Sequence, residues 1–168
     1  ISLTNSLYKI FTAILQKRIE EKIDPYLHKT QYGFRKEKST AHAIHIIRRI
    51  MDVGYRAGQQ ISLVMLDWEK AFDTVDHESL HFAMEIMNIP EKLRNIIIAI
   101  YKNPTFKVEM DGQESDWKTQ NAGIRQGCPF SPYLFLIVMT VMFHDIHSDK
   151  VLDEQISEDR ILGTLFDE

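Results

Sequence analysis

The sequence holds 168 residues, 44% hydrophobic and 26% charged with only 7 Gly and 5 Pro, a globular composition that excludes long disordered, collagen-like and repeat-built chains. Its formal net charge is −4, yet residues 1–60 carry +6 and residues 61–168 carry −10, so a basic first third suited to phosphates precedes an acidic remainder suited to cations. No window approaches the roughly 18 uninterrupted apolar residues of a membrane-spanning helix, no membrane partner is expected, and the single cysteine, Cys128, excludes an internal disulfide and a multi-cysteine zinc site.

Leu3, Leu7, Ile10, Phe11, Ile14, Leu15, Ile19 and Ile23 recur at three-to-four spacing, which predicts a first helix with one buried face that Pro25 ends. A polar segment then leads to Ser39 or Thr40 as the cap of a second helix, with Ile44, Ile47, Ile50 and Met51 on one side and Gly54 and Gly58 releasing the chain. The short apolar run Ile61 to Leu66 predicts a buried strand that delivers Asp67 at its end. Asp76 is placed to cap a helix reaching about Met87, and Pro90 to open another with Leu93, Ile96, Ile97 and Ile100 on its inner side. The segment 105–110 alternates, turns at Asp111-Gly112 and returns through Trp117 to Gln120, a hairpin signal. A loop over 123–132 feeds a strongly apolar helix from about Ser131 to His144, followed by a charged stretch and a final short strand, Ile161 to Phe166. This order predicts an α+β fold. Both ends break into ongoing patterns, so a piece of a longer polypeptide is expected.

A carboxylate at the end of a buried strand needs a partner for its charge. For Asp67 alone, a turn or helix cap and a divalent cation both answer that need. Its surroundings are more specific: Leu66-Asp67-Trp68-Glu69-Lys70-Ala71-Phe72-Asp73-Thr74-Val75-Asp76-His77. This block resembles the first catalytic motif of reverse transcriptases, in particular those of non-LTR (LINE-type) retrotransposons and their group II intron relatives. Gln31-Tyr32-Gly33-Phe34-Arg35 followed by Ser39-Thr40 is similar to that family's fingers motif, and Ile1-Ser2-Leu3 with Leu7-Tyr8-Lys9-Ile10 to the motif before it. Gly123-Ile124-Arg125-Gln126-Gly127-Cys128-Pro129-Phe130-Ser131-Pro132 is similar to the second palm motif. Four blocks in order carry far more weight than any one of them.

The resemblance implies the fingers and palm of a right-hand polymerase without its thumb: fingers over 1–60, palm over 61–168, a small antiparallel palm sheet packed on helices, and the helices and hairpin of 76–122 between the two palm motifs. It implies an RNA-directed DNA polymerase, joining dNTPs to the 3′ end of a DNA primer on an RNA template. The expected cofactors are two Mg²⁺ ions, with Mn²⁺ as a substitute. Asp67, Asp167 and Glu168 are implied as catalytic, with Asp67 and Asp167 as metal ligands. Phe72 is implied as the steric gate beneath the nucleotide sugar, Arg125, Gln126 and Gly127 as further dNTP-pocket residues, and Arg35, Lys36 and Lys38 as nucleic-acid contacts. The parent polypeptide would add a thumb and has room for an endonuclease.

The family's third palm motif is an aromatic, a variable residue and two aspartates, whereas this sequence reads Phe166-Asp167-Glu168. Asp167 in a shifted register and a degenerate motif are both open, as is a second function: a non-catalytic reverse-transcriptase-like remnant that binds RNA or protein. The histidine pairs His42/His45, His77/His81 and His144/His147 lack a third ligand at close spacing, and are expected to be polar positions on helix faces.

Overall fold

Asn5 opens the first helix by accepting the Leu7 N–H on its side-chain oxygen at 2.8 Å, which satisfies one of the amide donors that a helix start leaves free. In the computed structural model, which describes residues 3–148, this helix, α1, runs Ser6–Ile23 and continues into a 3-10 turn at Asp24–Tyr26. Its buried stripe is Thr12, Leu15, Ile19 and Ile23, with the Thr12 hydroxyl turned back onto the Tyr8 carbonyl at 2.9 Å. The expected buried face is therefore only half right. Leu7, Ile10, Phe11 and Ile14 form a second stripe that is exposed, because one helix side meets the core and eight apolar positions extend past it.

Helix α2 spans Thr40–Ala57 from Ser39 to a left-handed Gly58. Gly54 lies within it and is its buried residue, covered by the Ile61 side chain. Ile44, Ile47 and Met51 are exposed. The expected strand over 61–66 is not found: that segment has no strand pairing among the described residues, and Val64, Met65 and Leu66 are 77%, 85% and 85% exposed. A strand exists only through a ladder. The last expected strand, Ile161 to Phe166, lies outside the described residues, as do Ile1 and Ser2.

Asp76 caps α3 (His77–Ile86), accepting the Ser79 N–H at 2.8 Å. Pro90 precedes α4 (Glu91–Tyr101), and Arg94 of α4 reaches Glu85 of α3 at 3.0 Å. The hairpin forms as expected. β1 (Thr105–Phe106) pairs antiparallel with β4 (Lys118–Thr119), and β2 (Glu109–Met110) with β3 (Gln113–Glu114). Its turn has Asp111 and Gly112 at φ +52° and +76°, the left-handed pair that a two-residue hairpin turn demands. The last described helix, α5 (Ser131–Ser148), is the centre of the core. Leu134, Leu136 and Ile137 are fully buried, and the cluster around α5 includes Leu80, Met84, Ile97, Ile124 and Phe130. Mixed helices and small antiparallel sheets agree with the α+β expectation.

One polar clasp closes the end of α1 onto the loop before α2. Arg35 donates Nε to Asp24 Oδ1 and Nη2 to Asp24 Oδ2, each at 2.9 Å, and Nη2 also to the Asp24 carbonyl at 2.9 Å. Its Nη1 donates to the carbonyls of His28 at 3.0 Å and Gln31 at 3.5 Å. All five guanidinium N–H groups are used, and the side chain is 8% exposed. The Arg35 hydrogen bond holds the Asp24 carboxyl below its ordinary range. The pair's stabilisation is therefore complete above the ordinary carboxylate value of about 3.9 and is lost as pH falls through the lowered one. Thermal melting between pH 7 and pH 2.5 is expected to show an acid limb that Asp24→Asn flattens, and Arg35→Lys is expected to cost about 2 kcal/mol at pH 7 because an ammonium cannot reproduce the fork.

Candidate nucleotide-binding site

The turn 69–73 follows Asp67 and is closed by the Asp73 N–H on the Lys70 carbonyl at 2.7 Å, with Lys70 at φ +52°. It sets Phe72 against α5, where the ring stacks on Phe135 with centroids 5.2 Å apart and planes 17° apart. Phe34 meets the same ring edge-on at 6.1 Å. Aromatic contacts of these geometries are favourable and directional, so the Phe72 ring is held on two sides.

The 123–130 loop is joined to this turn through main chain. The Ile124 N–H donates to the Phe72 carbonyl at 2.8 Å and the Gly123 N–H to the Val75 carbonyl at 2.7 Å. On the far side His77 Nε2 donates to the Gly123 carbonyl at 2.9 Å. Gly123 has φ +92°, and a Cβ placed there would stand 2.7 Å from the Asp73 carbonyl oxygen and 2.9 Å from its Cα. No side chain fits that gap.

This clasp brings the two motif blocks into contact. Gln126 Nε2 lies 3.3 Å from both carboxylate oxygens of Asp73, across 53 residues of sequence. Arg125 stacks its guanidinium over the Tyr8 ring at 4.9 Å, and Cys128 Sγ donates to the Tyr8 hydroxyl at 3.8 Å. Burial pushes the Tyr8 hydroxyl well above the ordinary tyrosine range, so it stays a neutral partner. Gly127 has φ +97° in a turn closed by the Cys128 N–H on the Arg125 carbonyl at 3.3 Å. The turn passes directly into α5.

Phe72, Arg125, Gln126 and Gly127 thus share one region of the structure. The other expected site residues differ. Asp67 sits on the exposed 61–68 segment rather than at the end of a buried strand, because the ladder that would hold it there has no partner among the described residues. Asp167 and Glu168 lie outside the described residues, and among the described ones no three His, Cys, Asp or Glu side chains are grouped to hold a metal ion. As a donor set, three carboxylates suit a hard cation such as Mg²⁺, but Asp67 is the one member that the structure describes. Arg35 is turned inward by the Asp24 clasp, which leaves its guanidinium no donor for a phosphate. Lys36 is exposed, and Lys38 sits over the Tyr32 ring at 5.2 Å while bonding the Lys29 carbonyl.

Asp73, Gly123, His77 and Tyr8 were not among the expected site residues. Asp73 stood beside Phe72 in the first block, and only a contact across 53 residues shows what it touches. A cleft of about 560 Å³ lined by α1 and the α3–α4 turn contains none of the expected site residues.

A family model for reverse transcriptase (RNA-dependent DNA polymerase) matches residues 1–158. The chain belongs to the reverse transcriptase family. Its similar relatives are proteins of non-LTR mobile elements, as the motifs imply. It is 26% identical over 162 residues to a Retrovirus-related Pol polyprotein from type-1 retrotransposable element R2 of Popillia japonica, covering 96% of this chain and 22% of the relative. The match to the corresponding R2 polyprotein of Nasonia vitripennis is 29% over 139 residues, 83% of this chain and 13% of the relative. With the RNA-directed DNA polymerase from mobile element jockey of Drosophila melanogaster it is 27% over 172 residues, 99% of this chain and 18% of the relative. The reverse transcriptase chain therefore spans less than a quarter of the length of these relatives.

Because Gly123 combines positive φ with contact on the Asp73 main chain, Gly123→Ala is expected to lower stability by about 2 kcal/mol or more. It is also expected to displace Gln126 from Asp73. Melting temperature checks the first effect and the side-chain amide signals of Gln126 in NMR spectra the second, and an unchanged melting temperature would contradict the close approach.

Proposed function

We propose that the chain supplies the fingers and palm of an RNA-directed DNA polymerase, with residues 1–60 as fingers and 61–168 as palm, the helices and hairpin of 76–122 lying between the two palm motifs. The observation that supports this reading is the main-chain clasp that sets Phe72, Asp73 and Gln126 side by side. Two distant motif blocks form one small surface, with an aromatic wall and a polar amide, of the kind that a sugar and base require.

In this reading Phe72 faces the sugar of the incoming dNTP and fills the volume that a 2′ hydroxyl needs, while Phe135 and Phe34 keep the ring from moving aside. Gln126 and the Gly127 turn border the nucleotide, and Arg125, anchored on Tyr8, adds positive charge near the triphosphate. Lys36 and Lys38 meet the phosphates of the RNA template or DNA primer, with Arg35 shaping the loop that carries them. Asp67 and Asp167 supply the carboxylates for two Mg²⁺ ions, for which Mn²⁺ can substitute, with Glu168 as a further catalytic residue. When bound, such ions lower the barrier to in-line nucleotidyl transfer by stabilising the attacking and leaving oxygens. The thumb, and an endonuclease where one is present, belong to the rest of the parent polypeptide.

Primer extension by the full parent protein tests this. Asp67→Asn keeps shape and removes charge, and is expected to lower incorporation of every nucleotide by about 1,000-fold or more, roughly the several kcal/mol that metal stabilisation supplies. Phe72→Val is expected to raise the ribonucleotide-to-deoxynucleotide ratio by about tenfold or more, since only the ribonucleotide loses a clash. It should also lower the melting temperature, because the ring stacks on Phe135. Lower stability without a changed ratio would make Phe72 a packing residue alone. A parent protein that binds RNA but extends no primer would favour the non-catalytic remnant.

A further inference from the structure

We infer that Asp73 is a positioning residue that fixes which end of the Gln126 amide faces the nucleotide, an inference that rests on the polymerase reading above. An ionised carboxylate accepts hydrogen bonds and donates none. Both Asp73 oxygens lie 3.3 Å from Gln126 Nε2, so the amide turns its NH₂ toward Asp73 and its carbonyl oxygen away. Gln126 then offers an acceptor to the nucleotide and selects a ligand with a hydroxyl or amino donor at that point. A free glutamine would present either end and lose orientation entropy on each binding event.

Three features of the structure make this contact more than a surface coincidence. The clasp bonds from Ile124 to Phe72 and from Gly123 to Val75 flank Asp73 on one backbone and lie two and three residues before Gln126 on the other, which holds the two backbones in fixed register. The Asp73 N–H is itself fixed on the Lys70 carbonyl at 2.7 Å. The Asp73 side chain has no cation partner among the described ion pairs, and Gln126 is the side chain that its carboxylate meets. Asp73 is exposed and Gln126 half-buried, which leaves the outer side of the amide reachable by a ligand.

The experiment uses the parent polymerase on a primer–template with dATP as the probe, comparing wild type, Asp73→Ala, Asp73→Asn, Gln126→Ala and the Asp73→Ala/Gln126→Ala double variant. Steady-state extension gives KM and kcat, and equilibrium binding of dATP to the complex with a chain-terminated primer gives affinity without turnover. Asp73→Ala is expected to raise KM and Kd about tenfold, the size of one charge-assisted hydrogen bond, with kcat within about threefold of wild type. Asp73→Asn is expected to fall between, because its amide can still accept but no longer imposes one orientation. The double variant is expected to be no weaker than Gln126→Ala, as for two residues acting through one contact. The melting temperatures of the two Asp73 single variants are expected to agree with wild type within about 3 °C, as for exposed substitutions.

A double variant as weak as the product of the two single effects would overturn the inference, as would a loss of kcat and melting temperature at unchanged KM. If wild type binds and extends dATP while Asp73→Ala equals it, the inference fails and the polymerase reading stands. If wild type binds dATP without extending it, the catalytic reading fails and the affinities still decide the role of Asp73. If wild type neither binds nor extends, both fail.

Discussion

Two backbone hydrogen bonds hold the candidate site together: Ile124 N–H to the Phe72 carbonyl and Gly123 N–H to the Val75 carbonyl. Main-chain bonds need no particular side chains, but they need the two strands of backbone to approach, and here that approach is possible only because residue 123 has no Cβ. The carbonyl of Gly123 is taken up in turn by His77, so the buried peptide group has both its donor and its acceptor satisfied. Everything that the site presents is downstream of this contact. Phe72 and Asp73 lie on one side of it, Arg125, Gln126 and Gly127 on the other, and α3 begins where His77 reaches in.

The stiffness of the arrangement comes from α5, whose sequence is apolar around much of its circumference and is correspondingly buried. A helix of that kind packs on several neighbours at once. It carries Phe135 under Phe72 and receives the 123–130 loop at its start, with Phe130 buried at the junction. This side of the candidate site is thus seated on the buried face of α5. Asp67 is five residues from Phe72 in sequence and has none of this support, because the apolar segment before it is solvent-exposed. Within the described residues Phe72, Asp73 and Gln126 are held by packing and the main-chain clasp, whereas Asp67 lies on an exposed segment.

What could be read in the sequence was what local chemistry decides. Asp76 as a cap, Pro90 ahead of a helix, Asp111-Gly112 as a turn and the apolar run after Ser131 each depend on the backbone needs of a few adjacent residues, and each is found. The run Ile61 to Leu66 shows the opposite limit, since β-branched and apolar residues make a segment competent to be a strand but pairing makes it one. Periodicity in α1 marked it as a helix and could not say that the stripe through Leu15 and Ile19 would be buried and the one through Leu7 and Ile14 left exposed. The four motif blocks gave the family, while Asp73 with Gln126 needed the structure, because no local rule relates residues 53 apart.

The structure shows which basic side chains the net charge leaves unpaired. Residues 1–60 carry an excess of basic side chains, yet Arg35 is neutralised by Asp24 and buried, and Arg49 and Arg56 both face Asp52, at 3.7 and 3.1 Å. Arg35 and Asp24 cancel as a pair, whereas Arg49 and Arg56 share one carboxylate and keep a net +1 between them. The guanidinium of Arg35 acts instead on its own chain, fixing the carbonyls of Asp24, His28 and Gln31 and with them the loop from which Lys36 and Lys38 project. A basic residue in a nucleic-acid-binding family can therefore serve affinity in two ways, as a charge that meets phosphate or as the internal brace that gives other charges a place. Arg35 is the second kind, because its guanidinium is taken up by Asp24 and by the carbonyls of the loop.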